Sequence, residues 1–453
     1  MQPFRYHVFV CDQQKPEGAP SCGARGGLAV IEALRREVAA RGLESQVQVT
    51  ACGSLGLCES GPNVVVYPEG TWYCGLTPAD APELVEEHFR HGRPLARLER
   101  GDVDQARAEM AVNREKRLAI MRAREAAGAL PDDLNDRIRA FQQSRVILTA
   151  LELDLFTAIG DGGAAADIAA RIHADPRATE MLLHALASLQ LVAKRDGVFR
   201  NSPLAARYFT ASAPQNARPG LLHTAGLWKN WSTLTECVRA GTSVIHREVD
   251  ERSSDWTQAF IAAMHRNAVE RAVPLVAAVG AQGVRRMLDV GGGSGAYSIA
   301  FAAANPELQA YILDLVAVVP LAQRHIDEAS LAGRVHTRIG DLRTDHLGEG
   351  YDLVLVSAIC HMLDEKENAH LIGRCFDALA PGGRLAIQEF ILEPDKCAPQ
   401  SAALFSLNML VGTRAGASYS EPEYTAWMHA AGFTTIHRVR MPGPAGLIIG
   451  TRS

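Results

Sequence analysis

The stretch that most limits the possible folds of this chain is Met287 to Leu315, MLDVGGGSGAYSIAFAAANPELQAYILDL. An apolar run ending at Asp289-Val290 reads as a buried parallel strand. Gly291, Gly292, Gly293 and Gly295 then form a turn that lets a ligand come close to the backbone. Ala296 to Ala304 has helical periodicity and is stopped by Asn305-Pro306. Ala310 to Leu313 is a second apolar strand ending at Asp314. Strand, glycine turn, helix, strand and acid make a βαβ unit, with the acid about 20 residues beyond the glycines and placed to bind a ribose hydroxyl pair.

The spacing departs from the dinucleotide fingerprint. Gly291, Gly293 and Gly295 give GxGxG without the later glycine that packs a helix start against a pyrophosphate, and no phosphate-loop lysine follows. A tight strand–helix connection is the plain alternative, and the second acid and the strands downstream weigh against it. The stretch resembles motif I of class I S-adenosylmethionine (SAM) methyltransferases. That resemblance implies SAM as cofactor, held around Asp289, Gly291, Gly293 and Gly295, with Asp314 on the ribose and Leu315 beside it.

A length of 453 residues allows about three domains. A net charge of −5 argues against a polyanion as main ligand. No apolar run reaches membrane-spanning length, and Met1 to Val10 is too polar for a signal peptide. The expectation is a cytoplasmic protein with no membrane and no nucleic-acid partner. There, cysteines suggest metal or redox chemistry before disulfides.

Cys11, Cys22, Cys52, Cys58 and Cys74 crowd the start of the chain, while Cys237, Cys360, Cys375 and Cys397 are scattered. Tyr6 to Val10 reads as a strand, Arg25 to Arg41 as an amphipathic helix and Gln46 to Thr50 as a strand arriving at Cys52. Asn63 to Tyr67 and Gly70 to Tyr73 read as a hairpin, and Pro82 to His91 as a closing helix. This is a small α/β domain with its cysteines at strand ends and in loops. Four loop thiolates can ligate a [2Fe–2S] cluster. Structural zinc is the competing metal, but paired CxxC knuckles are missing.

The order Cys11, ten residues, Cys22, then Cys52, five residues, Cys58, together with SLGLCESGPNVVVYPEGTWY, resembles the thioredoxin-like (Shethna-type) [2Fe–2S] ferredoxins over about Phe4 to Pro94. The resemblance implies Cys11, Cys22, Cys52 and Cys58 as ligands and an electron-transfer partner. The family more often has three residues between its last two cysteines, which would put a cysteine where Ser54 stands. Cys74 is the substitute should Cys52 fail to reach.

Gln105 to Ala127 is charged, alanine-rich and helical in composition. A solvated, semi-rigid spacer is the preferred reading, and a docking helix the alternative. Beyond it, LNDRIRAFQQSRVILTALELDLFTAI has apolar positions at helical spacing, and AAADIAARIHADPRATEMLLHALASLQLVAKRDGVFRNS reads helix, turn, helix, β-wing. Arg177 to Leu189 is too apolar to read bases. The segment resembles the dimerisation domain of plant-type small-molecule O-methyltransferases and their bacterial relatives, including hydroxyneurosporene, hydroxyindole and bacteriochlorophyllide methyltransferases, and the likeness extends over Asp133 to Ser453. It implies a homodimer.

That resemblance also implies helices over Leu221 to Ala272 roofing a substrate pocket, with His223, Trp228 and Trp231 as aromatic lining or core. DWTQAFIAAMHRNAVERA puts Met264 and His265 near SAM or substrate. Val335 to Ile339 leads to Asp341, which would accept from the adenine amino group, with Leu342 on the ring. Tyr351 to Ser357 is the next strand, and Ser357 joins the cofactor set. In ICHMLDEKENAHLIGRCFDALAPGGRLAIQEFIL, His361 matches the family's general base, with Glu389 or Asp364 orienting it. The commoner family sequence after the histidine is Asp-Trp; Met362-Leu363 here implies a remodelled acceptor pocket. AALFSLNMLVGTRAGASYSEPEYTAWMHAAGF supplies Phe405, Asn408 and Met409 on a pocket-facing helix, Asn408 bonding substrate or His361.

The expected whole is an α/β multidomain chain: a thioredoxin-like ferredoxin domain (1–95), a helical linker (96–130), a winged-helix-like dimerisation domain (131–262) and a Rossmann-like SAM methyltransferase domain (263–453). Its expected activity is methylation of a small aromatic or macrocyclic acceptor, at O or S, with His361 as base. A SAM-fold enzyme taking electrons from the cluster and a non-enzymatic redox regulator are the alternatives. Radical-SAM chemistry is disfavoured because no CxxxCxxC occurs.

Overall fold

The computed structural model of the protein describes residues 3–15, 20–246 and 254–453. It divides into two compact units, Met1–Ile138 and Arg139–Ser453.

The first unit is built on strand β1 (Tyr6–Cys11), helix α1 (Gly27–Ala40), β2 (Val47–Cys52), β3 (Asn63–Tyr67) and β4 (Thr71–Cys74). The sheet order is β2-β1-β3-β4. β1 runs parallel to β2, as the crossover through α1 requires, and antiparallel to β3, which the following hairpin pairs antiparallel with β4. Alternating Tyr6, Val8 and Val10 are buried, and Val30, Ile31, Leu34 and Val38 of α1 join them in one core. The closing segment is α2 (Ala81–Leu84), which widens into a π-helix over Val85–Arg90.

Helix α3 (Val103–Ala126) follows, capped by the Asp102 carboxylate accepting from Gln105 N at 2.8 Å. Most of it is exposed, as a spacer should be, but its first turns dock on the loop after β2. Ala106 is buried, Arg100 pairs with Glu109 at 2.6 Å, and Asn113 Nδ2 donates to the Gly56 carbonyl at 2.9 Å. The spacer reading is corrected for this end of the helix. Helix α4 (Asp132–Glu152) begins in this unit and ends in the next.

In the second unit, α4 leads to α5 (Leu155–Ile159), α6 (Ala165–Arg171), α7 (Pro176–Ser188) and the two-stranded wing of β5 (Val192–Arg195) and β6 (Val198–Asn201). Leu151, Phe156, Ile159, Leu183, Leu186 and Phe199 form their common core. Helices α8 (Pro203–Tyr208), α9 (Arg218–Trp231), α10 (Leu234–Ala240) and α11 (Ser254–Val279) continue the chain. Residues 247–253 of the expected roof lie outside the described residues.

The remainder alternates: β7 (Arg286–Val290), α12 (Ala296–Ala304), β8 (Gln309–Asp314), α13 (Val319–Glu328), β9 (Val335–Ile339), β10 (Tyr351–Ser357), α14 (Glu365–Ala378), β11 (Leu379–Glu389), α15 (Gln400–Gly412), α16 (Glu421–Ala431), β12 (Phe433–Arg440) and β13 (Gly446–Arg452). The sheet order is β12-β13-β11-β10-β7-β8-β9. Strands β7 to β11 are parallel, and β13 joins β11 antiparallel. The chain steps outward through β8 and β9, then returns to β10 on the other side of β7. The crevice beyond the carboxyl ends of β7 and β10 is therefore the topological switch point where such sheets bind ligands. Among the described residues no helix is long and apolar enough to cross a membrane.

Candidate functional site

Asp289 and Asp314 stand at the carboxyl ends of adjacent strands β7 and β8. Asp314 is fixed by two backbone amides: Gly293 N donates to its Oδ2 and Leu315 N to its Oδ1, both at 2.7 Å. Asp289 is fully buried. Ser298 Oγ donates to its Oδ2 at 2.8 Å, and its Oδ1 finds no hydrogen-bond partner among the described residues. Burial first, offset by Ser298 and added to by the Asp314 charge, pushes the Asp289 carboxyl up to about 7.

The glycines differ in their surroundings. A Cβ on Gly292 would stand 2.7 Å from the Asp289 carboxyl carbon, and one on Gly295 would stand 2.7 Å from Ile312. Gly293, at φ +58°, has nothing within 4 Å of that position, so the turn leaves open space on this side. An orphaned buried carboxyl oxygen beneath an open glycine cradle fits the close approach of a polar ligand.

The other cofactor-side residues are spread around this turn. Leu315 packs with Phe260, Ile261, Val318 and Leu321. Asp341 Oδ1 accepts from Arg343 N at 2.8 Å, and Leu342 packs on the core next to Gly291. Ser357 Oγ donates to Gln388 Oε1 at 2.6 Å, and burial pushes the neighbouring Tyr297 phenol above its ordinary range. His265 does not stand apart as an acceptor contact: its Nδ1 lies 2.8 Å from Ser294 Oγ in the glycine turn, and its ring stacks on His325 at 3.8 Å. Burial and the neighbouring His325 hold the His265 imidazole below its ordinary range. Met264 is half-buried next to it on α11.

His361 sits in a tight turn, Cys360–Met362, just past β10. Its Nδ1 is 2.8 Å from Oε2 of Glu389, which ends the neighbouring strand β11, and its backbone N–H donates to Oε1 at 3.3 Å. Both side chains are almost wholly buried. The two are far apart in sequence, yet parallel pairing of β10 with β11 brings their carboxyl ends together. Asp364, the alternative orienting group, instead caps α14 by accepting from Glu367 N at 2.8 Å. A carboxylate at this position favours the tautomer with Nδ1–H toward Glu389, which leaves the ring's lone pair on Nε2.

Phe405 meets the His361 ring edge-on at 4.9 Å and stacks on Phe390 at 4.0 Å. Met409 is buried, and Met362 is 37% exposed. Asn408 does not bond His361 in this structure: its Oδ1 accepts from the Trp231 indole N–H at 2.9 Å. Ser294, Tyr297, His325 and Phe390 were outside the sequence reading. Each is an unremarkable residue type joined to the site by a long-range contact, and only Ser294, inside the glycine turn, stood next to a recognisable signal.

In the first unit, Cys11 and Cys52 end the parallel strands β1 and β2 in register. Cys58 opens a short turn that Arg25 holds through the Glu59 carbonyl. The sulfurs of Cys11, Cys22 and Cys58 all lie within 4.8 Å of one another and are buried. Cys52 packs half-buried against this triad without belonging to it, and Cys74 is in neither group. Asn63, fully buried, donates from Nδ2 to Cys22 Sγ at 3.4 Å. A Cβ on Gly61 would run into that same sulfur. The Cys22 thiol bond to Cys11 holds Cys11 below the ordinary thiol range. That same bond, with burial, pushes the Cys22 thiol above the ordinary range. Clustered, shielded sulfurs are a donor set suited to a soft metal centre.

A class I SAM-binding sheet with a buried His–carboxylate dyad at its switch point defines a methyltransferase. Residues 233–434 match the profile of the O-methyltransferase domain, and residues 136–211 that of the O-methyltransferase dimerisation domain. The chain is 34% identical to 3-hydroxy-5-methyl-1-naphthoate 3-O-methyltransferase of Streptomyces sahachiroi, over 71% of this chain and 96% of that protein. Among solved structures it is similar to an O-methyltransferase family protein from Burkholderia thailandensis (TM-score 0.66, 29% identity, 72% of this chain and 99% of that one). It is also similar to human N-acetylserotonin methyltransferase in complex with SAM (TM-score 0.63, 26% identity, 71% and 96%). The chain belongs to the SAM-dependent O-methyltransferases that carry this dimerisation domain.

Proposed function

We propose that the protein methylates a phenolic hydroxyl of a small aromatic acceptor, and that its first unit holds a [2Fe–2S] cluster in an accessory role. The His361–Glu389 dyad beside the Phe405–Phe390 stack carries the reading: a fixed base next to an aromatic wall suits a planar phenol. Two similar proteins, the naphthoate enzyme and acetylserotonin O-methyltransferase of Bos taurus (29% identical), bear names that point to aromatic acceptors.

SAM supplies an electrophilic methyl group on a sulfonium. Asp314 would bind its ribose hydroxyls, Gly291, Gly293 and Gly295 with Asp289 and Leu315 its amino-acid portion, and Asp341 and Leu342 with Ser357 its adenine. His361 Nε2 would take the acceptor's hydroxyl proton, and Glu389 would stabilise the resulting imidazolium. Phe405, Met409, Met362 and Met264 close around the acceptor, and Asn408 holds the roof through Trp231. His265 belongs to the cofactor side, positioning the glycine turn through Ser294. The dimerisation segment supports a homodimer.

Methyl transfer consumes no electrons, so the cluster stands outside the reaction. Cys11, Cys22 and Cys58, with Cys52 as fourth ligand, would hold it, and it would carry one electron, with a redox protein as its counterpart.

The test incubates anaerobically purified protein with methyl-labelled SAM and a panel of phenols, thiols and tetrapyrroles, with the cluster oxidised and then reduced. Labelled phenol ether in both states is expected, with His361→Ala lowering kcat by about 10²- to 10⁴-fold. Label on thiols alone, or full activity in the variant, would overturn the catalytic reading. Zinc without iron or sulfide in the purified protein would overturn the cluster.

A further inference from the structure

We propose that the linker helix α3 sets the reduction potential of the iron–sulfur site through a relay of three hydrogen bonds ending on Cys58; this rests on the cluster reading above. Asn113 Nδ2 donates to the Gly56 carbonyl at 2.9 Å. Gly56 N–H, on the preceding peptide unit, donates to Ser54 Oγ at 3.3 Å, so the Asn113 bond acts on it by fixing the position of Gly56. Ser54 Oγ lies 3.2 Å from Cys58 Sγ.

The direction of the last bond follows from chemistry. A ligating sulfur is a thiolate and has no proton to give, so the hydroxyl is the donor. Its oxygen is already engaged by the Gly56 amide, which leaves the proton for the sulfur. The residue standing where the ferredoxin resemblance places a cysteine thus serves a ligand instead of being one.

The first turns of α3 hold the relay in place. Gly56 is at φ +91°, and a Cβ there would come within 3.0 Å of Met110 Cγ. Arg100 pairs with Glu109 of the helix and reaches Ser60 Oγ at 3.4 Å, two residues beyond Cys58. The loop carrying Ser54 and Cys58 is therefore fastened to α3 at Gly56 and, through Arg100, near Ser60.

A hydrogen bond to a ligating sulfur favours the state with the extra negative charge, because added charge strengthens the bond. Weakening the relay lowers the potential. Coupling of this kind is reciprocal: if docking of α3 favours the reduced state, reduction tightens the docking by the same free energy.

The test is a redox titration of the reconstituted full chain with dithionite and mediators, followed by visible absorbance and electron paramagnetic resonance. One electron from the dye reduces one ferric ion to ferrous. Ser54→Ala should lower the reduced-to-oxidised ratio at a fixed potential about tenfold, which is about 59 mV for one electron. Ser54→Thr should restore it. Asn113→Ala should shift the potential the same way by less, and the double variant should go no further than Ser54→Ala.

An unmoved potential in Ser54→Ala, or full additivity in the double variant, overturns the relay while leaving the cluster intact. Absence of iron and sulfide in the wild-type chain overturns the cluster and the relay together. Should Ser54→Ala fail to load, Asn113→Ala decides alone, and its unchanged potential overturns the proposal.

Discussion

Asp289 is ionisable, wholly buried and only half hydrogen-bonded, so its protonation is tied to folding. Burial raises its folded value from 3.8 to about 7. The sign is fixed by linkage: a carboxyl raised on folding stabilises fully below its unfolded value, and that contribution is lost as pH climbs through the folded one. Each unit is worth on the order of 1.4 kcal/mol, so the loss between pH 4 and 7 amounts to a few kcal/mol. Asp289→Asn, which keeps the shape without the charge, is expected to flatten the decline. Thermal unfolding of both proteins at pH 5 and pH 8 checks this; an equal decline in the variant would refute it. At this scale the sequence marked candidate residues but not what they touch. His361 and Glu389 were readable because each closes a predicted strand or its following turn. The His265–Ser294, Trp231–Asn408 and Asn113–Gly56 bonds were not, since contacts between distant segments leave no local pattern.

The glycine turn between β7 and α12 separates two demands that one motif conceals. Gly292 is packed against protein atoms, whereas Gly293 faces open space. Gly292→Ala should mainly lower the melting temperature, because the Asp289 carboxyl and Ile312 must both shift. Gly293→Ala, with a positive φ costing roughly 1–2 kcal/mol, should weaken SAM binding more than tenfold for a smaller loss of thermal stability. Calorimetric titration beside thermal unfolding distinguishes them, and the reverse ranking would refute the assignment. The elements themselves were largely legible, since apolar runs stopped by glycine, proline or acid mark buried strands well. Boundaries moved by a residue or two, as at α1, which begins at Gly27 rather than Arg25. The larger difference was α3, whose composition gave a solvated helix correctly but could not reveal that Ala106, Met110 and Asn113 would meet a loop.

For the whole molecule, the order of segments was legible because composition and periodicity change where they join. Association depends on surfaces that one chain cannot complete. On α4, Leu134, Ile138 and Phe141 recur at helical spacing and are 42%, 57% and 55% exposed. Burying the exposed half of each against a second copy would contribute about 1 kcal/mol per side chain. The wild-type protein is expected to run at twice the chain mass by light scattering, and Phe141→Arg at the chain mass with its folded spectrum retained. A wild-type monomer, or a variant dimer of unchanged affinity, would refute this.

The bond from Trp231 to Asn408 gives the protein an optical consequence of its architecture. The indole N–H of a residue at the end of α9 is held by α15, the helix that also carries Phe405 and Met409. Indole emission depends on the polarity and hydrogen bonding around that N–H, so any acceptor that wedges between the two helices rewrites the local environment of one chromophore. Breaking that bond is expected to change indole emission, and Trp231→Phe would separate its signal from that of the four other tryptophans.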